Sequence, residues 1–306
     1  MKSKTHKVVL TGLWQSRLTL KGACAQPALQ APYLAVAKVQ ALRLRPGLAT
    51  LALLCVASLL LTMSATGGPS PARASASLNT TVRLPLIMKS GCDPIPGATY
   101  GTLAPTNPNG GVVENDHRIN LGLRGYVPNG AFAGLITIGG VGDPNAPQFP
   151  GLFADNRTPT FSNSYAVRRW DSTCNCPGEP ITDPQVTLAG LATTPGETIH
   201  VPNSGYDIGG GNDVLVLYAS TNRLTLKYTR EDDIVSGYTV YLENVCVEPS
   251  LLALYQAMNA AGRGQLPALQ GGQALGRAIG NEIGVAVRDS GTFQDPRSRN
   301  SWWIGR

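Results

Sequence analysis

The chain has 306 residues with a formal net charge of +6 and a pI near 9.1, but the charge is unevenly placed. Residues 1–92 carry 11 Lys and Arg and no Asp or Glu, so residues 93–306 hold 14 basic and 19 acidic side chains, a balance of −5 (14 minus 19). A basic pI would otherwise point to a nucleic-acid or anionic-membrane partner; here the basicity belongs to the leader, and a nucleic-acid partner is excluded on charge.

The leader reads as an export signal. Residues 1–46 form a basic extension, long for the basic region of a signal, so the expected start lies near Val36 or Val39 and nothing is argued from His6 or Trp14. Leu48 to Met63 is an uncharged apolar run of 16 residues preceded by Lys38, Arg43 and Arg45. Basic flank, apolar run and small residues follow in the order of a secretory signal over residues 47–76, with Ala72-Arg73-Ala74 and Ala74-Ser75-Ala76 as cleavage sites. An uncleaved anchor is the alternative, since 16 residues at a rise of about 1.5 Å nearly span a thinned hydrocarbon core. Both place the acidic part outside the cytoplasm, extracellular or at the cell surface, with membrane contact only through such an anchor. Residues 77–92 read as a linker, in which Val82 to Met88 is a candidate edge strand. Lys89-Ser90-Gly91 before Cys92 is not the setting of a lipidated cysteine.

Cys92, Cys174, Cys176 and Cys246 lie beyond the leader, and an even number in an oxidising compartment predicts disulfides with three possible connectivities. Cys174 and Cys176, one residue apart, are expected to pair with Cys92 and Cys246 rather than with each other. A metal reading of Cys174-Asn175-Cys176 lacks further ligands nearby.

Residues 93–182 alternate short β-prone runs, such as Gly134 to Gly139, with Gly, Pro, Asn and Asp turn signals, and predict a smaller β-rich region. In Ala154 to Trp170, Arg168 and Arg169 are expected to alternate across a strand as solvated residues. Asp116-His117 has the chemistry of a general base but no second partner in the sequence, and is expected to be exposed.

Residues 183–306 read as antiparallel strands: Thr198 to Val201, Val214 to Ala219, Leu224 to Tyr228, Tyr238 to Leu242 and Ile283 to Val287. Arg230-Glu231-Asp232-Asp233 reads as a solvated hairpin tip. One helix interrupts the series, starting at Pro249-Ser250 with Ser250 as N-cap, burying Leu251, Leu254, Tyr255 and Met258, and ending at Gly262. Trp302-Trp303 beside Arg297, Arg299 and Arg306 reads either as a stacking surface for a sugar or partner, or as a tail tucking one indole onto the sheet. No G-x-S-x-G and no Cys–His pair is present.

Three segments carry a resemblance. Gly196 to Gly205 (GETIHVPNSG) is similar to the GTPVYAPADG turn and strand of lysostaphin-type zinc peptidoglycan endopeptidases, the duplicated hybrid motif. Gly272 to Gly276 (GQALG) resembles that family's GQVIG, and Val287 to Pro296 (VRDSGTFQDP) its VRKNGKPVDP hairpin. The resemblance implies a mainly β fold, an antiparallel sheet with one inserted helix, and a groove that engages wall peptides. The family's zinc ligands are missing: its H-x-x-x-D falls on Val186 and Gly190, and its H-x-H on Glu282 and Gly284. Zinc hydrolysis needs three protein ligands and an open position, so no catalytic residue, metal or cofactor is expected. His200 matches an ordinary strand position of the family. The reading is a secreted, non-catalytic binding or regulatory protein engaging peptidoglycan peptides or an envelope protein, with Tyr238, Tyr241 and Glu282 lining the groove. A metallopeptidase with an unrecognised metal site and a structural envelope protein are the alternatives. Leu84-Pro85-Leu86 also resembles a segment that follows the signal in a class of secreted bacterial proteins.

Overall fold

The computed structural model describes residues 92–306 apart from Val141. The signal, its cleavage sites, the linker strand at Val82 to Met88 and Leu84-Pro85-Leu86 lie outside the described residues.

The described residues are mainly β. In chain order the strands are β1 (Gly101–Leu103), β2 (Tyr126–Pro128), β3 (Phe161–Asp171), β4 (Cys176–Pro180), β5 (Leu188–Ala192), β6 (Thr198–His200) and β7 (Val214–Ser220). They continue as β8 (Arg223–Lys227), β9 (Tyr238–Glu243), β10 (Val245–Val247), β11 (Leu266–Leu269), β12 (Ala274–Ala278), β13 (Glu282–Asp289) and β14 (Thr292–Gln294). Eleven form one antiparallel sheet in the order β1-β11-β7-β8-β9-β13-β5-β3-β2, with β14 on β13 and β4 on β3; β10, β12 and β6 form a second, three-stranded sheet. The large sheet takes strands from both sides of residue 182. All five expected strands of residues 183–306 are present, because each combines β-branched or aromatic residues with turn residues at its ends. Gly134 to Gly139 is not a strand: Ile136 makes only an isolated bridge to Ser298, its amide and carbonyl going to Arg297 and Arg299. Propensity supplied no partner strand there.

Alternation along the central strands separates two faces. Ile283, Val285 and Val287 of β13 join Val240 and Leu242 of β9 and Leu224 and Leu226 of β8 in the principal core. That core extends to the small sheet through Ile199, Val245 and Leu275, to the 3₁₀ turn Phe149–Leu152, and to the C-terminus. Both Trp302 and Trp303 are buried there, their indole N–H groups donating to the carbonyls of Asp295 and Pro296 at 2.9 Å each. Neither ring is free to stack on a ligand.

Helix α1 (Pro249–Ala260) packs on β7 and β11, with Leu251 and Tyr255 buried. Its N-cap is Glu248 rather than Ser250: the buried Glu248 carboxylate accepts from the amides of Ser250 at 2.7 Å and Leu251 at 3.0 Å. Pro249 sits at the first helical position, where no N–H is needed. Gly262, at φ +87°, ends the helix as expected. A short helix α2 spans Arg299–Trp302.

Two further expectations are corrected. Asp232 is no hairpin-tip residue in solvent. It is 1% exposed and takes a two-point ion pair from the equally buried Arg263, with Nε to Oδ2 at 2.7 Å and Nη2 to Oδ1 at 2.6 Å. The disulfides join Cys92 to Cys246 and Cys174 to Cys176. Asn175, at φ +52°, takes the left-handed conformation that Asn tolerates and folds the chain back within one residue, leaving the Cys174 and Cys176 Cα atoms 5.3 Å apart. Disulfide formation fits an oxidising compartment outside the cytoplasm. Among the described residues no helix is long and apolar enough to cross a membrane.

Candidate functional site

The second face of the large sheet is unusually polar. Antiparallel register sets Arg223 of β8 opposite Glu243 of β9, Thr225 opposite Tyr241, and Lys227 opposite Thr239. Across β13 the same rows continue as Gly284, Ala286 and Arg288, and Gly284 lies opposite Gly190 of β5. A small apolar cluster of Leu121, Val167, Ile181, Leu188, Tyr241, Ala286 and Phe293 seals its middle.

The chain itself covers much of this face. Residues 113–126, with 3₁₀ turns at Val113–Asn115 and Leu121–Leu123, offer the Ile119 carbonyl to the Thr225 hydroxyl at 2.7 Å and the Arg118 carbonyl to the Tyr241 hydroxyl at 2.6 Å. Tyr241 is therefore buried, its donor committed. Tyr238, three residues earlier, points to the opposite face, packs edge-on against Trp302 and donates to Asp143 at 3.1 Å. Tyr206 donates to the same Asp143 oxygen at 2.5 Å. Partial burial alone would raise the Asp143 carboxyl; the hydrogen bonds from Tyr206, the Asn145 amide and Tyr238 outweigh it and hold the group below its usual range.

Glu282, the third expected groove residue, opens β13 and is half-buried. Its carboxylate collects three neutral donors from β3: the Ser162 hydroxyl, the Asn163 amide at 2.6 Å and the Tyr165 hydroxyl at 2.7 Å. A register shift between Phe161 and Asn163 is what lets the consecutive residues Ser162 and Asn163 reach one acceptor. Burial, and then the bond to Glu282, push the Tyr165 phenol well above its ordinary range. Ser162 and Asn163 remain exposed. Ala192, the register partner of Glu282, lines an open cleft of about 310 Å³ together with Arg157, Thr158, Pro159, Thr160, Thr193 and Thr194.

Beside this hub lies Glu243, 3% exposed, with Arg223 at 3.5 Å as its ion-pair partner. Burial raises its carboxyl to about 7 against the pull of Arg223. Toward the other end of the face, Arg124 donates to the His117 carbonyl at 2.9 Å and contacts its Nδ1 at 3.1 Å. A guanidinium only donates, so Nδ1 is the unprotonated nitrogen. Burial first, then Arg124, lower the His117 pKa. His117 also stacks on Trp170, with ring centroids 4.3 Å apart, so it is packed rather than free in a loop. Arg169 is exposed as expected, while Arg168 is half-buried and donates to the Gly178 carbonyl at 3.1 Å.

Three of the positions that match the zinc ligands of the resembled family, Gly190, Glu282 and Gly284, lie close together on neighbouring strands. Gly190 and Gly284 are register partners, and Glu282 lies two residues before Gly284 on the same face. A side chain at Gly190 would collide with the Glu282 carboxylate, and one at Gly284 would press on Leu188 at 3.1 Å and Glu243 at 3.2 Å. Val186 is fully buried. Among the described residues no group of three or more His, Cys, Asp or Glu could hold a metal ion. His200, on β6, has Nδ1 3.4 Å from the Leu152 carbonyl. The arrangement is that of one hydrogen-bonding acceptor with three neutral donors, two of them on exposed residues.

Sequence reasoning missed Ser162, Asn163, Tyr165, Arg223 and Glu243. The polar run Ser162-Asn163 inside a β-prone stretch was a usable signal; the pairing of Arg223 with Glu243 depends on tertiary register.

No protein-family model matches the chain, and no curated protein matches it. Among solved structures it is distantly similar to a zinc containing peptidase from Vibrio cholerae, at 14% identity and a TM-score of 0.29, over 50% of this chain and 40% of that one. The chain thus spans two-fifths of that peptidase's length.

Proposed function

We propose that the protein acts outside the cytoplasm as a non-catalytic binding protein and that its ligand is a cell-wall peptide taken up at the Glu282 end of the large sheet. The observation that carries this is the convergence of three neutral donors on one half-buried carboxylate beside an open cleft. A carboxylate is acceptor-only. An ammonium group of a peptide can displace the exposed Ser162 and Asn163 donors, and it adds a full positive charge opposite the carboxylate that those neutral donors lack. Among the described residues no His, Cys, Asp or Glu joins that carboxylate in a group of three that could hold a metal ion.

Co-sedimentation of the full chain with dye-labelled peptidoglycan sacculi tests it. Saturable pelleting without dye release is expected, weakened roughly tenfold in Glu282→Gln, the scale of a lost charge-assisted bond. Dye release would overturn the non-catalytic reading. Protein left in the supernatant would overturn the wall ligand and turn attention to an envelope protein.

A further inference from the structure

The two disulfides differ in what they hold together. Cys92–Cys246 links positions 154 residues apart and ties the start of the described chain to β10. Cys174–Cys176 spans a separation of 2 at the tip of the β3–β4 hairpin. A cross-link over so short a loop removes little entropy from the unfolded chain, whereas the long one removes much. The short one is also redundant as a clasp. The Thr173 amide donates to Asp171 Oδ1 at 2.8 Å, the Trp170 indole donates to Asn175 Oδ1 at 3.2 Å, and Asp171 is already register partner to Cys176.

Placement favours chemistry at this disulfide. Among the described residues β4 pairs only with β3, so the end of the hairpin extends as an arm from the sheet edge, and residues 171–175 are all exposed. The arm is braced at its root by the Trp170–His117 stack. Cys174 is exposed and Cys176 half-buried, so an incoming thiolate meets Cys174 Sγ first.

We propose that Cys174–Cys176 is a thiol–disulfide exchange site whose substrates are cysteine thiols of other exported proteins. In the first step a substrate thiolate forms an S–S bond to Cys174 Sγ. The Cys174–Cys176 bond breaks, and its electron pair leaves on Cys176 Sγ, which takes a proton from water. In the second step another substrate thiol, having given its proton to water, attacks the substrate sulfur of the mixed disulfide, and the electron pair leaves on Cys174 Sγ, which is then protonated. Two electrons pass from the substrate dithiol to the cysteine pair. A second disulfide, such as oxidised glutathione, restores the pair by the reverse sequence. The one-residue spacing holds Cys176 beside any mixed disulfide, so unproductive adducts are resolved within the same turn.

The test uses the full chain. Oxidised protein is equilibrated in graded glutathione buffers, quenched by alkylation and read by peptide mass spectrometry, which resolves each cysteine separately. Cys174–Cys176 is expected to open at roughly tenfold lower reductant than Cys92–Cys246, with the near-ultraviolet circular dichroism of the folded chain intact. Reactivation of scrambled ribonuclease in glutathione buffer should fall to background in the Cys174→Ala/Cys176→Ala variant, and Cys176→Ser should accumulate a mixed disulfide at Cys174. If Cys174–Cys176 opens only together with Cys92–Cys246, or if the double variant reactivates ribonuclease as fast as the parent, the proposal fails.

Discussion

Replacing Asp232 by alanine removes the carboxylate from a pair in which both partners are 1% exposed. Arg263 then loses bonds of 2.7 and 2.6 Å to a carboxylate and keeps neutral acceptors, among them the Leu217 carbonyl at 3.0 Å and the Asn259 side chain at 2.8 Å. The Asn109 amide also loses its acceptor, Asp232 Oδ2 at 2.8 Å. A guanidinium left unpaired in the interior costs about 3–5 kcal/mol. In a domain of this size that is a fall in Tm of about 10 °C. The assay is urea unfolding followed by circular dichroism on Asp232→Ala, Arg263→Met and the double variant. The double variant should be less destabilised than the sum of the two singles by about 2 kcal/mol or more, because removing both charges removes the orphan. An Asp232→Ala cost below about 1 kcal/mol, or a cycle that adds within about 0.5 kcal/mol, would refute the buried-pair argument.

Glu243 should make stability pH-dependent. Its folded carboxyl titrates at about 7 and its unfolded one near 4.5; the folded state holds a proton that the unfolded state has released, so stability falls as pH rises from about 4.5 to 7 and levels off above. The loss is on the order of 3 kcal/mol, and Glu243→Gln should flatten it in unfolding curves measured across that window; an unchanged slope counts against the assignment. For His117 the sign is opposite. Its folded pKa is depressed, so the unfolded state binds the proton first as pH falls below 6.5 and stability is lost on acidification. A proton-resonance titration should find His117 below 6.5 and rising in Arg124→Met, and a value at or above 6.5 in the parent would contradict the Arg124–Nδ1 contact. Trp303→Ala empties a fully buried site packed on Phe149 and Phe161 and should cost about 3–5 kcal/mol in denaturant unfolding; near-neutrality would mean the C-terminus is not part of the core. Replacing Cys92 and Cys246 by alanine should cost roughly 2–5 kcal/mol, against under about 2 kcal/mol for Cys174 and Cys176, as closing a long loop and a minimal one require.

Much of the fold was legible because its signals are local. Strands such as Val214–Ser220 and Glu282–Asp289 announce themselves by alternation and by their turn residues, and the helix before Gly262 by its apolar spacing. The candidate site was legible only in part. Glu282 was marked by its position in a resembled motif, but its donors come from β3, more than a hundred residues earlier, and converge through a register shift that no local pattern encodes. Tyr238 and Tyr241 were grouped by type, yet three residues along a strand put them on opposite faces. Asp232 sits in a charged run that reads as solvated, and what pairs with it in the interior is Arg263, beyond two strands and a helix.

Taken alone, the sequence determined that residues 93–306 are an acidic, β-rich, cysteine-bearing piece that follows 92 residues without an Asp or Glu, because charge, alternation and turn chemistry are properties of neighbouring residues. The tertiary structure alone decided which strands are neighbours, which cysteines bond, and which polar groups are buried in pairs. Those outcomes depend on contacts between residues far apart in the chain, whose energies exist only once the sheet has closed around them.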